Sequence, residues 1–138
     1  VHLQAPEAPW VKRATGVSDA DLVLHESGDV VMVGDIPITL MHTPGHTPGS
    51  QCFFVDGRLV AGDTLFLEGC GRTDLPGGDP EALYESLTQK LAKVPDDATL
   101  FPGHLYSAEP SADMATVRRF NMVYQPKDKQ TFLRMFGR

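Results

Sequence analysis

Cysteine and positive charge are both scarce in this sequence. Among 138 residues only Cys52 and Cys70 carry thiols, too few for the disulfide framework that staples small secreted domains. The scarcity points to a reducing compartment, and the expected location is cytoplasmic. Lys and Arg number 12 against 18 Asp and Glu, for a formal net charge of −6. A general nucleic-acid binder carries a basic face instead, so no nucleic-acid partner is expected. No apolar run approaches the ~18 residues of a membrane helix, so no membrane partner is expected either. Repeats, low-complexity tracts and an internal linker are also lacking. What is present is a globular balance, 41% hydrophobic and 22% charged, at a length that suits one domain.

Val1–Ala5 reads as the end of a strand and Ala5–Ala14 as a short helix, with Pro6 and Pro9 near its start and Gly16 beyond its end. Short apolar runs follow at Leu22–Leu24, Val30–Val33 and Ile36–Met41, and Gly34-Asp35 between the last two suggests a hairpin. A second hairpin is expected over Gln51–Val55 and Arg58–Ala61, because the intervening Asp56-Gly57 tolerates positive φ at both positions. From Asp79 the period changes to that of a helix. Asp79 is the N-cap, Pro80 the first helical residue, and Leu83, Tyr84, Leu87 and Leu91 keep one apolar face. A strand over Thr99–Phe101 and helices near Asp113–Phe120 and Lys127–Phe136 complete a mixed α/β chain.

Three stretches could carry chemistry. Thr43-Pro44-Gly45-His46-Thr47-Pro48-Gly49-Ser50 lies between two strands and presents His46 from a stiff loop. Ala61-Gly62-Asp63 ends a strand on a carboxylate, and Pro102-Gly103-His104 ends another on an imidazole. Each alone also reads as an ordinary turn, with Asp63 bonding its own backbone. Together they offer two imidazoles and a carboxylate at strand ends, the usual donor set for catalytic zinc, iron or manganese.

His42-Thr43-Pro44-Gly45-His46-Thr47-Pro48-Gly49-Ser50, Gly62-Asp63-Thr64-Leu65-Phe66 and Pro102-Gly103-His104 resemble successive motifs of the metallo-β-lactamase superfamily. Gly69-Cys70-Gly71-Arg72-Thr73-Asp74-Leu75-Pro76-Gly77-Gly78-Asp79 is similar to the branch holding glyoxalase II-type thioester hydrolases and iron-dependent persulfide dioxygenases. The resemblance covers the chain from about Val30 onwards and implies an αββα sandwich with a metal site at one edge of its sheets. It implies that His46 ligates one metal, that Asp63 bridges two as the catalytic carboxylate, and that His104 ligates the second. The implied cofactor is one or two Zn2+, or Fe2+ in the dioxygenase branch. There one iron takes His46, Asp63 and a further histidine, and His104 binds none.

The family's His-x-His-x-Asp-His cluster does not occur. His2 and His25 lie in no such pattern, and His42 sits within the His46 motif without being a ligand there. The expectation is therefore a single α/β domain over residues 1–138 that corresponds to the C-terminal half of the sandwich and is incomplete on its N-terminal side. Such a half would leave one sheet face apolar and uncovered, and would self-associate or pair with a missing N-terminal half.

Arg72 is the candidate for binding an anionic substrate of the thioester or glutathione type, with a loop pairing to Asp74 or Asp79 as the alternative. Tyr106 could donate a hydrogen bond near the site or simply pack. Cys70 reads as a small buried hydrophobe. Arg118-Arg119 and Lys127–Lys129 read as solvated helix faces. The leading expectation is a glyoxalase II-like metallohydrolase in which metal-bound hydroxide attacks a thioester. The alternatives are an iron-dependent glutathione persulfide dioxygenase, or a catalytically inert interaction module lacking half of its metal ligands.

Overall fold

Turn chemistry and alternating apolar residues build most of the chain into strands. The computed structural model describes residues 1–137. Strand β1 (His2–Gln4) pairs in parallel with β2 (Val23–His25), and α1 (Ala8–Thr15) lies between them in sequence. A 3-10 turn over Ala5–Glu7 precedes α1, so the helix begins later than the prolines suggest. The main sheet has six strands in chain order: β3 (Val30–Val33), β4 (Ile36–His42), β5 (Gln51–Val55), β6 (Arg58–Gly62), β7 (Thr99–Pro102) and β8 (Ala112–Asp113). Strands β3 to β6 form an antiparallel meander, and the β5–β6 turn places Asp56 and Gly57 at φ 47° and 70°. Strand β7 runs parallel to β6, and the two-residue β8 closes the edge antiparallel to β7.

Helix α2 (Pro80–Glu85) starts where its cap predicts, with Asp79 Oδ1 accepting from the Glu81 and Ala82 N–H groups at 2.9 and 3.0 Å. The helix then widens into a π turn over Ser86–Lys90 and tightens to a 3-10 turn over Leu91–Lys93. Such turns often mark functional positions, and this one has a visible consequence. Leu83, Leu87 and Leu91 still face the core, while Ser86 Oγ donates to Pro44 O at 2.7 Å and Lys90 Nζ to His42 O at 2.8 Å. Helices α3 (Met114–Phe120) and α4 (Lys129–Phe136) are each capped by an aspartate, Asp113 and Asp128. No helix among the described residues is long and apolar enough to cross a membrane.

The helices cover one face of the sheet. Cys52, Leu59, Ala61 and Leu100 pack there against Leu83, Leu87, Leu91, Met114, Val117 and Phe132. Each fully buried leucine or phenylalanine stabilises this layer by about 1.5–3 kcal/mol. The cross-strand row on the other face, Leu40–Phe53–Val60–Phe101, is apolar too, yet Val60 and Phe101 are 40% and 38% exposed.

Arg119 and Lys127 are exposed as expected, but Arg118 and Lys129 are not simply solvated, which corrects the sequence reading for those two. The Arg118 guanidinium donates to Leu91 O and Val94 O at 2.8 and 2.6 Å and pairs with Asp96. It thereby satisfies the carbonyls that end the α2 segment. Lys129 bridges to Glu81 at 2.7 Å and ties α4 to α2. Arg119 lies over the Phe120 ring at 5.1 Å.

Candidate metal centre

The loop carrying His46 is clamped from several sides. Thr43 N donates to Ser50 O at 2.8 Å and closes its base. The Glu7 carboxylate accepts from Thr47 Oγ1 at 2.8 Å and Gly49 N at 2.7 Å, while Gly45 O accepts from Asp79 N at 2.8 Å. Gly45 itself lies against α2, where a Cβ would stand 2.4 Å from Leu83 Cβ. Its φ of 142° also disfavours any other residue. The His42 ring donates to Pro48 O at 2.8 Å, a structural role within the loop. His2 and His25 stack on and hydrogen-bond to each other, with His25 also bonded to Asp29, so both lie outside this site.

Asp63 follows β6 and His104 follows β7. The parallel pairing of these strands, extended by a 2.8 Å bond from Gly103 N to Gly62 O, sets the two side by side. The three strand-end motifs therefore meet on one rim. His46 Nε2 lies 3.5 Å from Asp63 Oδ2, and His104 Nδ1 lies 2.7 Å from Asp63 Oδ1. His46 Nδ1 donates to Arg72 O at 2.8 Å. A carbonyl can only accept, so Nδ1 carries a ring proton, and in the neutral imidazole Nε2 is the nitrogen that presents a lone pair on the Asp63 side.

These two distances differ in meaning. Two donors bound at about 2.1 Å to one tetrahedral ion stand about 3.4 Å apart, which is the His46–Asp63 spacing. The His104–Asp63 contact is a direct hydrogen bond. The donor types suit zinc or iron(II), and His46 with Asp63 fits as part of a coordination sphere. Among the described residues, no group of three His, Cys, Asp or Glu side chains closes around a single ion.

The site opens into a cleft of about 300 Å3 whose lining includes His46, Asp63, Phe66, Glu68, Arg72 and Tyr106. Arg72 Nε and one Nη form a fork on Asp74 at 2.6 and 2.7 Å, which raises the guanidinium pKa further. The loop pairing thus occurs, with Asp74 and not Asp79. Tyr106 packs: its ring stacks on His104 at 5.0 Å and meets Phe66 edge-on at 5.1 Å. Sequence reasoning missed Glu7, Ser86 and Lys90 as supports of the site, because nothing in their local patterns marks contacts so far along the chain.

Burial pushes the Cys52 thiol up to about 11 and the Cys70 thiol up to about 12. Both therefore stay protonated near neutrality and are poor nucleophiles. Their folded values lie above the unfolded ~8.5, so the stability they contribute is full below that pH. It is lost progressively as pH rises towards the folded values. Iodoacetamide at pH about 8 is expected to label the unfolded chain at both positions and the native protein at neither. Native labelling of Cys70 at the unfolded rate would make it a candidate nucleophile instead.

A family model for the metallo-beta-lactamase superfamily matches residues 2–104. A hydroxyacylglutathione hydrolase of Rhodopseudomonas palustris is 42% identical over 116 residues, covering 83% of this chain and 44% of that protein. The human mitochondrial persulfide dioxygenase ETHE1 is 37% identical over 98 residues, covering 70% and 38%. A probable polyketide biosynthesis zinc-dependent hydrolase, BaeB of Bacillus velezensis, is 30% identical over 118 residues, covering 86% and 52%. The crystal structure of ETHE1 from Myxococcus xanthus superposes with a TM-score of 0.79 at 28% identity, covering 99% of this chain and 65% of that one. The chain spans about half the length, or less, of these curated relatives.

Proposed function

The chain belongs to the metallo-beta-lactamase superfamily, and on that premise we propose that it carries part of the active site of a metal-dependent thioester hydrolase of the glyoxalase II type. The observation that supports this most directly is the His46 ring, fixed through Nδ1 by Arg72 O with its Nε2 at ligand spacing from Asp63. His46 and Asp63 would hold one Zn2+, and His104 with Asp63 a second once their 2.7 Å hydrogen bond opens to admit it. When bound, zinc would polarise the thioester carbonyl and lower the pKa of a coordinated water.

The chain's own residues do the rest. Arg72 O keeps the proton on His46 Nδ1, so that the other nitrogen remains a donor to metal. Asp63 divides its two oxygens between the two imidazoles. Phe66 and Tyr106 form an aromatic wall beside His104 on one side of the cleft. Arg72 uses two of its five N–H donors on Asp74, and the others would meet a carboxylate of a glutathione-type substrate.

A second reading is an iron-dependent persulfide dioxygenase, and one observation favours it. His104 bonds directly to Asp63, as suits a site in which a single Fe2+ takes His46, Asp63 and another histidine while His104 only orients the carboxylate. Metal analysis of the purified protein, combined with turnover of an S-acylglutathione in air and under argon, separates the two. Zinc with oxygen-independent hydrolysis is expected. Iron with oxygen uptake on glutathione persulfide would replace the first reading by the second. A protein that holds no metal and turns over neither substrate would overturn both.

A further inference from the structure

We propose that Asn121 is a positioning residue for the His46–Asp63 pair, acting through the loop that joins Asp63 to Arg72. The inference rests on the metal reading for one of its two readouts and is independent of it for the other.

Both legs of this loop carry site groups. It leaves the sheet at Asp63, whose carboxylate faces both imidazoles, and it ends at Arg72, whose carbonyl fixes the His46 ring. Between them the chain turns back on itself. Phe66 N donates to Gly69 O at 3.1 Å, and Leu65 pairs with Cys70 in an isolated antiparallel bridge. Asn121 sits beneath this turn, 1% exposed. Its Nδ2 donates to Phe66 O at 2.9 Å and Gly69 O at 3.0 Å, while its Oδ1 accepts from Gly69 N at 2.8 Å and Val123 N at 3.1 Å. Two donor hydrogens and two lone pairs are the whole capacity of an amide, and here all are used. Three of the four bonds go to the loop.

The anchor is rigid. Asn121 follows α3, which buries Met114 and Val117, and it is followed by the buried Val123. None of its four side-chain bonds is to His46, Asp63 or His104, so its influence passes through the loop backbone. That backbone has little freedom on the site side, since a Cβ at Gly71 would stand 1.9 Å from Asp63 O and 3.1 Å from His46 Cγ. A displacement of even an ångström at Arg72 would break the 2.8 Å bond that fixes the His46 tautomer. Without Asn121, Gly69 O would keep only its bond from Phe66 N, while Phe66 O would lose its side-chain donor in the interior, and the turn would have to open to hydrate it.

Three variants test this. Asn121→Asp keeps an acceptor for Gly69 N and Val123 N but removes both donors to the loop. Asn121→Ala removes all four bonds. Val123→Ala, a neighbouring core truncation that leaves the loop bonds in place, is the control for lost stability alone. The first readout is the 15N spectrum of the His46 imidazole in metal-free protein. The wild type and Val123→Ala are expected to show the Nδ1-protonated tautomer, and both Asn121 variants a mixture. The second is zinc affinity by chelator competition, expected to weaken about tenfold or more in the Asn121 variants and to stay unchanged in Val123→Ala. If the Asn121 variants melt earlier yet keep the wild-type His46 spectrum and zinc affinity, Asn121 only supports the fold and the proposal is overturned. A wild type that binds no zinc would sink the metal reading while the tautomer measurement still decides the role of Asn121. Should Asn121→Ala fail to fold, Asn121→Asp carries the test.

Discussion

Gly71→Ala is expected to weaken zinc binding by up to about 100-fold and to lower the melting temperature by about 5 °C. The cause is steric. An alanine Cβ would lie 1.9 Å from Asp63 O, 3.1 Å from Asp63 C and 3.1 Å from His46 Cγ. The first of these contacts is with backbone next to a candidate ligand, so no flexible side chain can absorb it. Either the Asp63 peptide moves or the Cys70–Arg72 segment moves. The first shifts the carboxylate, and the second takes Arg72 O away from His46. Overpacking of this kind costs about 1–3 kcal/mol in a well-packed region, which sets the size of the thermal shift. Thermal melting and chelator competition on the same preparations check it. Unchanged zinc affinity in a folded Gly71→Ala protein would show that the 70–72 segment yields freely and does not shape the site.

The parts of the fold set by neighbouring residues were legible in the sequence. Asp56-Gly57 specifies its hairpin by tolerance of positive φ, and Asp79-Pro80-Glu81 specifies the start of α2 by capping. Both form as expected. His46, Asp63 and His104 could each be placed at a strand end for similar local reasons. That these ends are adjacent depends on β6 and β7 pairing in parallel across 41 residues, and that came from the family resemblance rather than from periodicity. The supports of the site were the least legible. The contacts of Glu7 with Gly49 and of Asn121 with Phe66 span 42 and 55 residues, and neither residue carries a local signature of its role. Arg118 reads as a surface cation because its carbonyl partners at Leu91 and Val94 belong to another helix segment. The π turn at Ser86–Lys90 was invisible for a related reason. The apolar spacing of Leu83, Leu87 and Leu91 suits a regular helix, and nothing in it announces the bonds that Ser86 and Lys90 make from the widened turn to Pro44 O and His42 O.

Asp63→Asn should have the larger effect on the site and a small one on the fold. The substitution keeps the shape of the side chain and removes its charge, at a position that is about one-quarter exposed (26%) and so only partly dependent on burial. The carboxylate gives one oxygen to each imidazole; an amide has only one to give. With its NH2 towards His46, it would donate to the bare Nε2 and occupy the lone pair that a metal needs. With its NH2 towards His104, it would keep an oxygen for His46 but without the charge that makes a carboxylate an effective ligand for a divalent cation. Both orientations predict zinc binding weakened by 100-fold or more, at the upper end of what loss of a ligand's support costs. Circular dichroism and the melting curve should stay close to wild type. His104→Ala completes the comparison by separating the two enzymatic readings. If His104 holds a second zinc ion, the metal content per chain should fall when it is removed. If His104 only orients Asp63, the metal content should be unchanged and the affinity modestly weaker, because the remaining ligands are intact and only their orientation is loosened. A His104→Ala protein with wild-type stoichiometry and wild-type affinity would leave its 2.7 Å bond to Asp63 without a role at the metal, and the hydrolase reading would lose the residue on which its second ion depends.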